Sequence, residues 1–184
     1  TGNTPKTNMA ENYGNFISFV KPGDFKTDGS INFDKQKLSK IGMSKSRIVE
    51  KKSILMVCIG ATIGKCAYTN IDITTNQQIN SVTPTQNFNH KFIYYQMIAP
   101  EFQNKIMNGY GQATLPIINK SKWQSLTMRF PNLDEQLNIV RIIDHLRIDT
   151  DILKNALLDK IDELSNLKLS ILKQEIIEDF KKVS

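Results

Sequence analysis

The run from Asp134 to Lys181 holds no Pro and no Gly, and it constrains the chain more than any other stretch. Unbroken by either residue, it reads as one helix, which at about 1.5 Å per residue would be roughly 70 Å long. A domain built from the rest of the chain would be narrower, so most of the helix is expected to project. Its start is marked. Pro131 ends what precedes it, Asn132 is placed to cap, and Glu135 follows three residues on, as a capping box requires. Ile143, Leu157, Leu164 and Ile171 then share a seven-residue register, and Ile139, Leu146, Leu153 and Leu167 form a second row four residues ahead of it. Seven residues make almost two helical turns, so two such rows keep one apolar stripe facing a partner, the seam of a coiled coil. Thr150 and Lys160 interrupt this seam, which weakens it and helps to fix its register. The alternative is a single amphipathic helix lying on its own domain, yet roughly 130 residues of core would cover only part of it.

The charge is divided at the same place. Residues 1–131 carry sixteen Lys and Arg against seven Asp and Glu, a net +9, while residues 132–184 carry eight against eleven, a net −3. A basic globular part (1–131) on a mildly acidic helix (132–184) points to a polyanion as partner of the first and to protein as partner of the second. With 40% hydrophobic residues the chain can form one core plus an appendage. No apolar run approaches the ~18 residues of a membrane span, and the start has no signal-peptide pattern. Thr1 is not an initiator Met, so the chain is expected to be a fragment or a processed piece. Cys58 and Cys66 lie in apolar surroundings with no histidine nearby, and are expected to be buried free thiols of a reducing, cytoplasmic compartment.

Along the globular part, Thr1 to Asn15 reads as loop and Phe16 to Val20 as a short strand. The stretch from Asp24 to Lys52 is mostly polar and ends in a basic cluster, Lys45, Arg47, Lys51 and Lys52, interleaved with Ser44, Ser46 and Ser53. Cations that neutralise phosphates beside hydroxyls that donate at short range suit a nucleic-acid backbone; a solvated loop has the same composition. Ser53 to Ile59 is the strongest strand, an apolar run fit for the middle of a sheet. Gly60-Ala61-Thr62-Ile63-Gly64-Lys65 follows it and invites comparison with a phosphate-binding P-loop. The comparison fails, because the glycines are one residue too close and Cys66 stands where Ser or Thr should hold the metal; a tight turn between strands is the better reading.

Thr74-Thr75-Asn76-Gln77-Gln78 offers amides that match an adenine edge or that satisfy buried backbone at a sheet edge. Ile79 to Thr83 reads as a strand. Lys91 to Ile106 reads as a helix interrupted near Pro100, with Phe92, Tyr95, Ile98, Phe102 and Ile106 inward, and Ser125 to Phe130 as a last strand. The sequence shows no constellation for catalysis or for metal binding: His90 and His145 stand alone, and neither an amino-methylation motif nor a Gly-rich methyl-donor loop is present.

Five pieces occur in order: Gly2-Asn3-Thr4-Pro5, the Ile63-Gly64-Lys65 turn, Thr75-Asn76-Gln77-Gln78, the segment Gly109 to Thr114, and Phe130-Pro131-Asn132-Leu133-Asp134-Glu135-Gln136 before the long helix. Together they closely resemble one target-recognition half of the specificity subunit of a type I restriction-modification system, over essentially the whole chain. Two features depart from that pattern: Glu50 to Ser53 replaces a Gly-Asp before the buried strand, and Phe19 stands where Trp is frequent.

The resemblance implies an α+β fold, a mixed α/β target-recognition domain followed by a long coiled-coil helix. It implies a non-catalytic role, reading one half of a split site on double-stranded DNA. The implied partners are an adenine-methylating modification subunit, to which S-adenosylmethionine belongs, and a restriction subunit that translocates and cuts. No cofactor is expected on this chain. Lys45, Arg47, Lys65, Lys120 and Lys122 are the expected phosphate contacts, and Ser44, Ser46, Asn76, Gln77, Gln112 and Thr114 the candidate base readers. Residues shared across a family are scaffold more often than readers, so the stretch Lys26 to Arg47 is a further candidate surface. An apolar seam without its intramolecular partner is expected to pair two copies into a homodimer. Two rivals are a recognition fragment of a fused DNA methyltransferase and a coiled-coil interaction module with incidental basic surface.

Overall fold

Ile54, Leu55, Met56 and Val57 are all fully buried, and together they form strand β4 (Ile54–Val57). A strand covered on both faces has no polar side to show, which is why its sequence is a continuous apolar run. Ile54 and Met56 point into a cluster with Cys58, Cys66, Met97, Phe102 and Ile106. Leu55 and Val57 point the other way, to Val20, Val49, Ile73 and Ile79. The computed structural model describes residues 1–26, 28–108 and 116–183, the last stretch without the side chains of 175 and 177–183.

Around β4 the elements fall into layers. β4 pairs antiparallel with β5 (Cys66–Tyr68) and with β7 (Ile79–Val82), giving a three-stranded sheet of order β5-β4-β7. Helices α2 (His90–Ile98) and α3 (Pro100–Met107) supply the far side of the first cluster. A second sheet lies on the other face. Its order is β2 (Lys37–Leu38), β1 (Tyr13–Val20), β6 (Ile73–Thr75), β3 (Ile48–Val49), with β1 and β6 parallel and the outer pairs antiparallel. The fold is α+β, as the sequence predicts. A short helix α1 (Lys40–Ser44) follows β2, so the polar stretch from Asp24 to Lys52 is more structured than a loop.

Two local expectations are corrected. Residues 125–130 form no strand: Leu126 and Met128 alternate inward against the first cluster, but the segment has no ladder partner among the described residues. Alternating burial gives the sequence a strand's pattern without a strand's hydrogen bonds. The helix is interrupted at Pro100 as expected, with Ala99 extended where Pro100 opens α3, but its inward face differs from the expected one. One helical period therefore does not run through the break. α2 buries Phe92, Ile93, Tyr94 and Met97, while Tyr95 is half-buried and Ile98 exposed.

The chain divides into two compact units, Thr1–Val140 and Arg141–Ser184. Helix α5 (Leu133–Val183) begins inside the first, where Asn132 Oδ1 accepts from Glu135 N at 2.9 Å and Gln136 and Val140 are buried. The division therefore falls some way into the helix, past residue 131. In the second unit no described residue is buried. Leu146, Leu153, Leu157, Leu164, Leu167 and Ile171 are each about half exposed or more, Ile139 in the first unit is exposed, and Ile143 is half-buried. No described helix is long and apolar enough to cross a membrane.

Candidate nucleic-acid interface

The first four residues lie along the turn between β6 and β7. Gly2 N donates to Ile79 O at 3.1 Å and Asn3 N to Thr75 O at 3.0 Å. Thr1 Oγ1 donates to Asn80 Oδ1 at 2.5 Å, and Thr4 Oγ1 to Gln77 Oε1 at 2.6 Å. Only glycine fits at position 2, because a Cβ there would stand 2.3 Å from Thr75 O and 2.4 Å from Asn76 O. The Asn3 side chain then does what a neighbouring strand would do: its Nδ2 donates to Lys45 O and its Oδ1 accepts from Arg47 N, both at 2.8 Å. In this way the opening motif, the β6–β7 turn and the basic cluster meet at one place.

The predicted site residues are placed as follows. Ser44 and Ser46 direct their hydroxyls back into α1, to Ile41 O at 2.8 Å and Gly42 O at 2.9 Å. Lys45 Nζ reaches Glu11 Oε1 at 3.1 Å and Asn12 Oδ1 at 2.9 Å. Arg47 donates through Nη1 to Thr1 O at 2.8 Å. Asn76 is buried, its Oδ1 accepting from Gln78 N and its Nδ2 donating to Gln78 Oε1, so the amide serves the turn that holds it. Gln77 is exposed. Lys65 is exposed at the end of the β4–β5 turn; Lys120 and Lys122 are exposed on α4 (Lys120–Gln124), where Asn119 Oδ1 caps Lys122 N at 2.8 Å. Gln112 and Thr114 lie outside the described residues.

The β4–β5 turn joins two antiparallel strands, and its glycines take positive φ, 104° at Gly60 and 85° at Gly64. These are conformations that glycine adopts without steric cost. Gly64 O accepts from Gln103 Nε2 at 3.0 Å, which ties the turn to α3. Gly60 N donates to Pro116 O at 3.1 Å and Ile118 N to Cys58 O at 2.8 Å. The chain entering α4 is thereby fixed beside this turn.

Arg47 lies against the opening segment, and the amino group of Thr1 is held below its ordinary pKa, by burial first and then by the cations of Arg47 and Lys120. Both thiols are free and buried, as expected. Burial pushes the Cys58 thiol up to about 11 and that of Cys66 higher still, which leaves both protonated and unreactive at neutral pH. Among the described residues no cluster of His, Cys, Asp and Glu is arranged to hold a metal ion.

Sequence reasoning quoted Asn3 and Gln136 within motifs without giving either a task. Gln136 is buried, accepts from Asn89 N at 2.9 Å through Oε1, and donates through Nε2 to Pro131 O at 2.9 Å and Asn87 O at 3.4 Å. It clamps the first turns of α5 to the start of α2.

The first unit thus joins two sheets, an opening segment bonded to the β6–β7 turn, and a basic cluster held to that segment through Asn3. The chain belongs to the family described as type I restriction modification DNA specificity domain, whose family model matches residues 1–163. It is 30% identical over 135 residues to the type I restriction enzyme HindI specificity subunit of Haemophilus influenzae, a match covering 71% of this chain and 29% of that protein. It is 25% identical over 174 residues to the MjaIX specificity subunit of Methanocaldococcus jannaschii, covering 87% of this chain and 38% of that one. Among solved structures, a chain from a study of complex assembly and conformational transition of the type I R-M system has a TM-score of 0.75 at 20% identity, over 94% of this chain and 41% of that one. The HsdS subunit from Thermoanaerobacter tengcongensis has a TM-score of 0.57 at 19% identity, over 84% and 36%. The chain thus spans less than half the length of each of these relatives.

Proposed function

We propose that this chain reads one half of a split site on double-stranded DNA, as part of a type I restriction-modification system. In this reading the globular unit holds phosphates through Arg47, Lys65, Lys120 and Lys122, and a few polar side chains choose among bases. A modification subunit carrying S-adenosylmethionine methylates adenine, and a restriction subunit translocates and cuts; both are partners recruited by this chain. Helix α5 pairs its apolar seam with that of a second copy, so that two recognition units face an inverted repeat with a fixed gap. The observation that carries the DNA reading is the family match to a DNA specificity domain over a chain whose residues 1–131 carry sixteen Lys and Arg against seven Asp and Glu.

Selection from a pool of random duplexes, with the chain and a compatible modification subunit, tests the reading. An enriched inverted repeat with constant spacing is the expected result. A single ungapped half-site would keep the DNA reading and remove the pairing of copies. No enrichment by a folded protein would leave α5 as an interaction module and the basic surface as incidental.

A further inference from the structure

β1 does not run straight. Tyr13 and Ile17 both pair with Leu38 of β2, so Gly14, Asn15 and Phe16 leave the ladder as a bulge. Bulges re-aim the side chains they carry and are frequent beside functional sites. This one is held firmly from behind. Ser39 N donates to Asn12 O at 3.0 Å, and Ser39 Oγ, which donates to Glu11 O, accepts from Gly42 N at 3.1 Å. Gly14 and Gly42 allow the close approach: a Cβ on Gly14 would lie 3.3 Å from Ser39 Cβ, and one on Gly42 only 1.9 Å from Asn12 O.

α1 is thereby fixed against the bulge, and Lys40 Nζ stands 5.2 Å from the centroid of the Phe16 ring. Phe16 is 52% exposed and Ile41, beside Lys40, 48%. A large ring left half in water by a braced bulge stabilises the fold far less than a buried one would. The acids of this corner are already answered, Asp34 by Lys37 at 2.7 Å and Glu11 by Lys45 at 3.1 Å, whereas Lys40 makes no ion pair among the described residues. A cation beside an apolar ring matches a DNA groove, whose phosphate wall alternates with sugars and thymine methyls.

We propose that Phe16 and Lys40 form a groove contact to double-stranded DNA, the ring packing on an apolar group inside the groove and the ammonium leaving the ring for the nearest phosphate. The proposal rests on the DNA reading above and deepens it by assigning a pair that lies outside the five motifs, as a contact that varies with target should.

The test is fluorescence anisotropy with the duplex recovered by selection, over a series of salt concentrations. Phe16→Ala is expected to weaken binding about tenfold with the salt slope unchanged, and to relax base preference at one position. Phe16→Leu should restore most of the affinity. Lys40→Gln should lower the salt slope by about one. Both residues are exposed, so the urea midpoints of the variants should match that of the parent chain, which separates this effect from unfolding. Folded variants with unchanged affinity, slope and preference would overturn the proposal and leave the corner to a protein partner. A parent chain that retains no duplex would overturn the DNA reading, and this contact with it.

Discussion

A methyl group on Gly2 would lie 2.2 Å from Thr75 Oγ1, 2.3 Å from Thr75 O and 2.4 Å from Asn76 O, and the two carbonyls cannot swing aside. Gly2→Ala must therefore lift the opening segment away from the β6–β7 turn and break the bonds of Gly2 N to Ile79 O and Asn3 N to Thr75 O. A cost of about 2 kcal/mol is expected, seen as a lower urea midpoint with unchanged m value. Arg47 makes a different kind of test, because its guanidinium donates to the Thr1 carbonyl while its backbone N–H holds Asn3. If it also meets a phosphate, Arg47→Ala lowers the salt slope of DNA binding by about one; unchanged affinity and slope would remove that role. At this scale the sequence was least legible. Lys45 has the composition of a phosphate contact, yet it bonds Glu11, thirty-four residues away, and only the fold sets that distance. Asn76 was equally undecided, since its partner is the side chain of Gln78 across a turn whose geometry no propensity specifies.

At the scale of elements, legibility followed how local the cause was. The start of α5 was readable because a cap is a matter of three residues: Asn132 accepts from Glu135 N, as the spacing predicts. β4 was readable because burial on both faces leaves a sequence pattern of its own. Residues 125–130 were not, because inward alternation is common to a strand and to an extended segment without neighbours, and pairing is decided elsewhere in the chain. The join between α5 and the globular unit depends on Gln136, whose amide bonds the backbone at Asn89, Asn87 and Pro131. Gln136→Leu keeps the volume roughly and removes every one of those bonds, leaving the N–H of half-buried Asn89 without the Gln136 acceptor. A loss of about 2–3 kcal/mol is expected. Trp123, the single tryptophan, packs against the first cluster and would report the transition by fluorescence. An unchanged midpoint would mean that water replaces the amide and that the clamp is dispensable.

For the molecule as a whole, the two units obey different rules. The first buries its apolar residues within itself, whereas the second, taken alone, leaves its leucines in water: Leu153 is 61% exposed and Leu157 57%. Covering a leucine is worth about 1.5–3 kcal/mol, so the proposed pairing of two copies along several seam positions is expected to outweigh the entropy of association, by a margin that Thr150 and Lys160 reduce. Thr150 already turns its hydroxyl to Leu146 O at 2.6 Å, and Lys160 to Glu163 at 2.8 Å, so both flaws are satisfied within one helix and need no partner. Sedimentation at tens of micromolar is therefore expected to give twice the 21.0 kDa mass of one chain. Leu153→Glu with Leu157→Glu sets like charges across the seam and should return the single-chain mass. The melting of the globular unit should not move, because neither side chain contributes to its core. A parent chain that sediments singly would end the pairing of seams, and a double variant that stays paired would place the contact on another surface. If the double variant is single and still binds one half-site, with the fixed gap of the inverted repeat gone, then α5 sets the spacing and the globular unit does the reading.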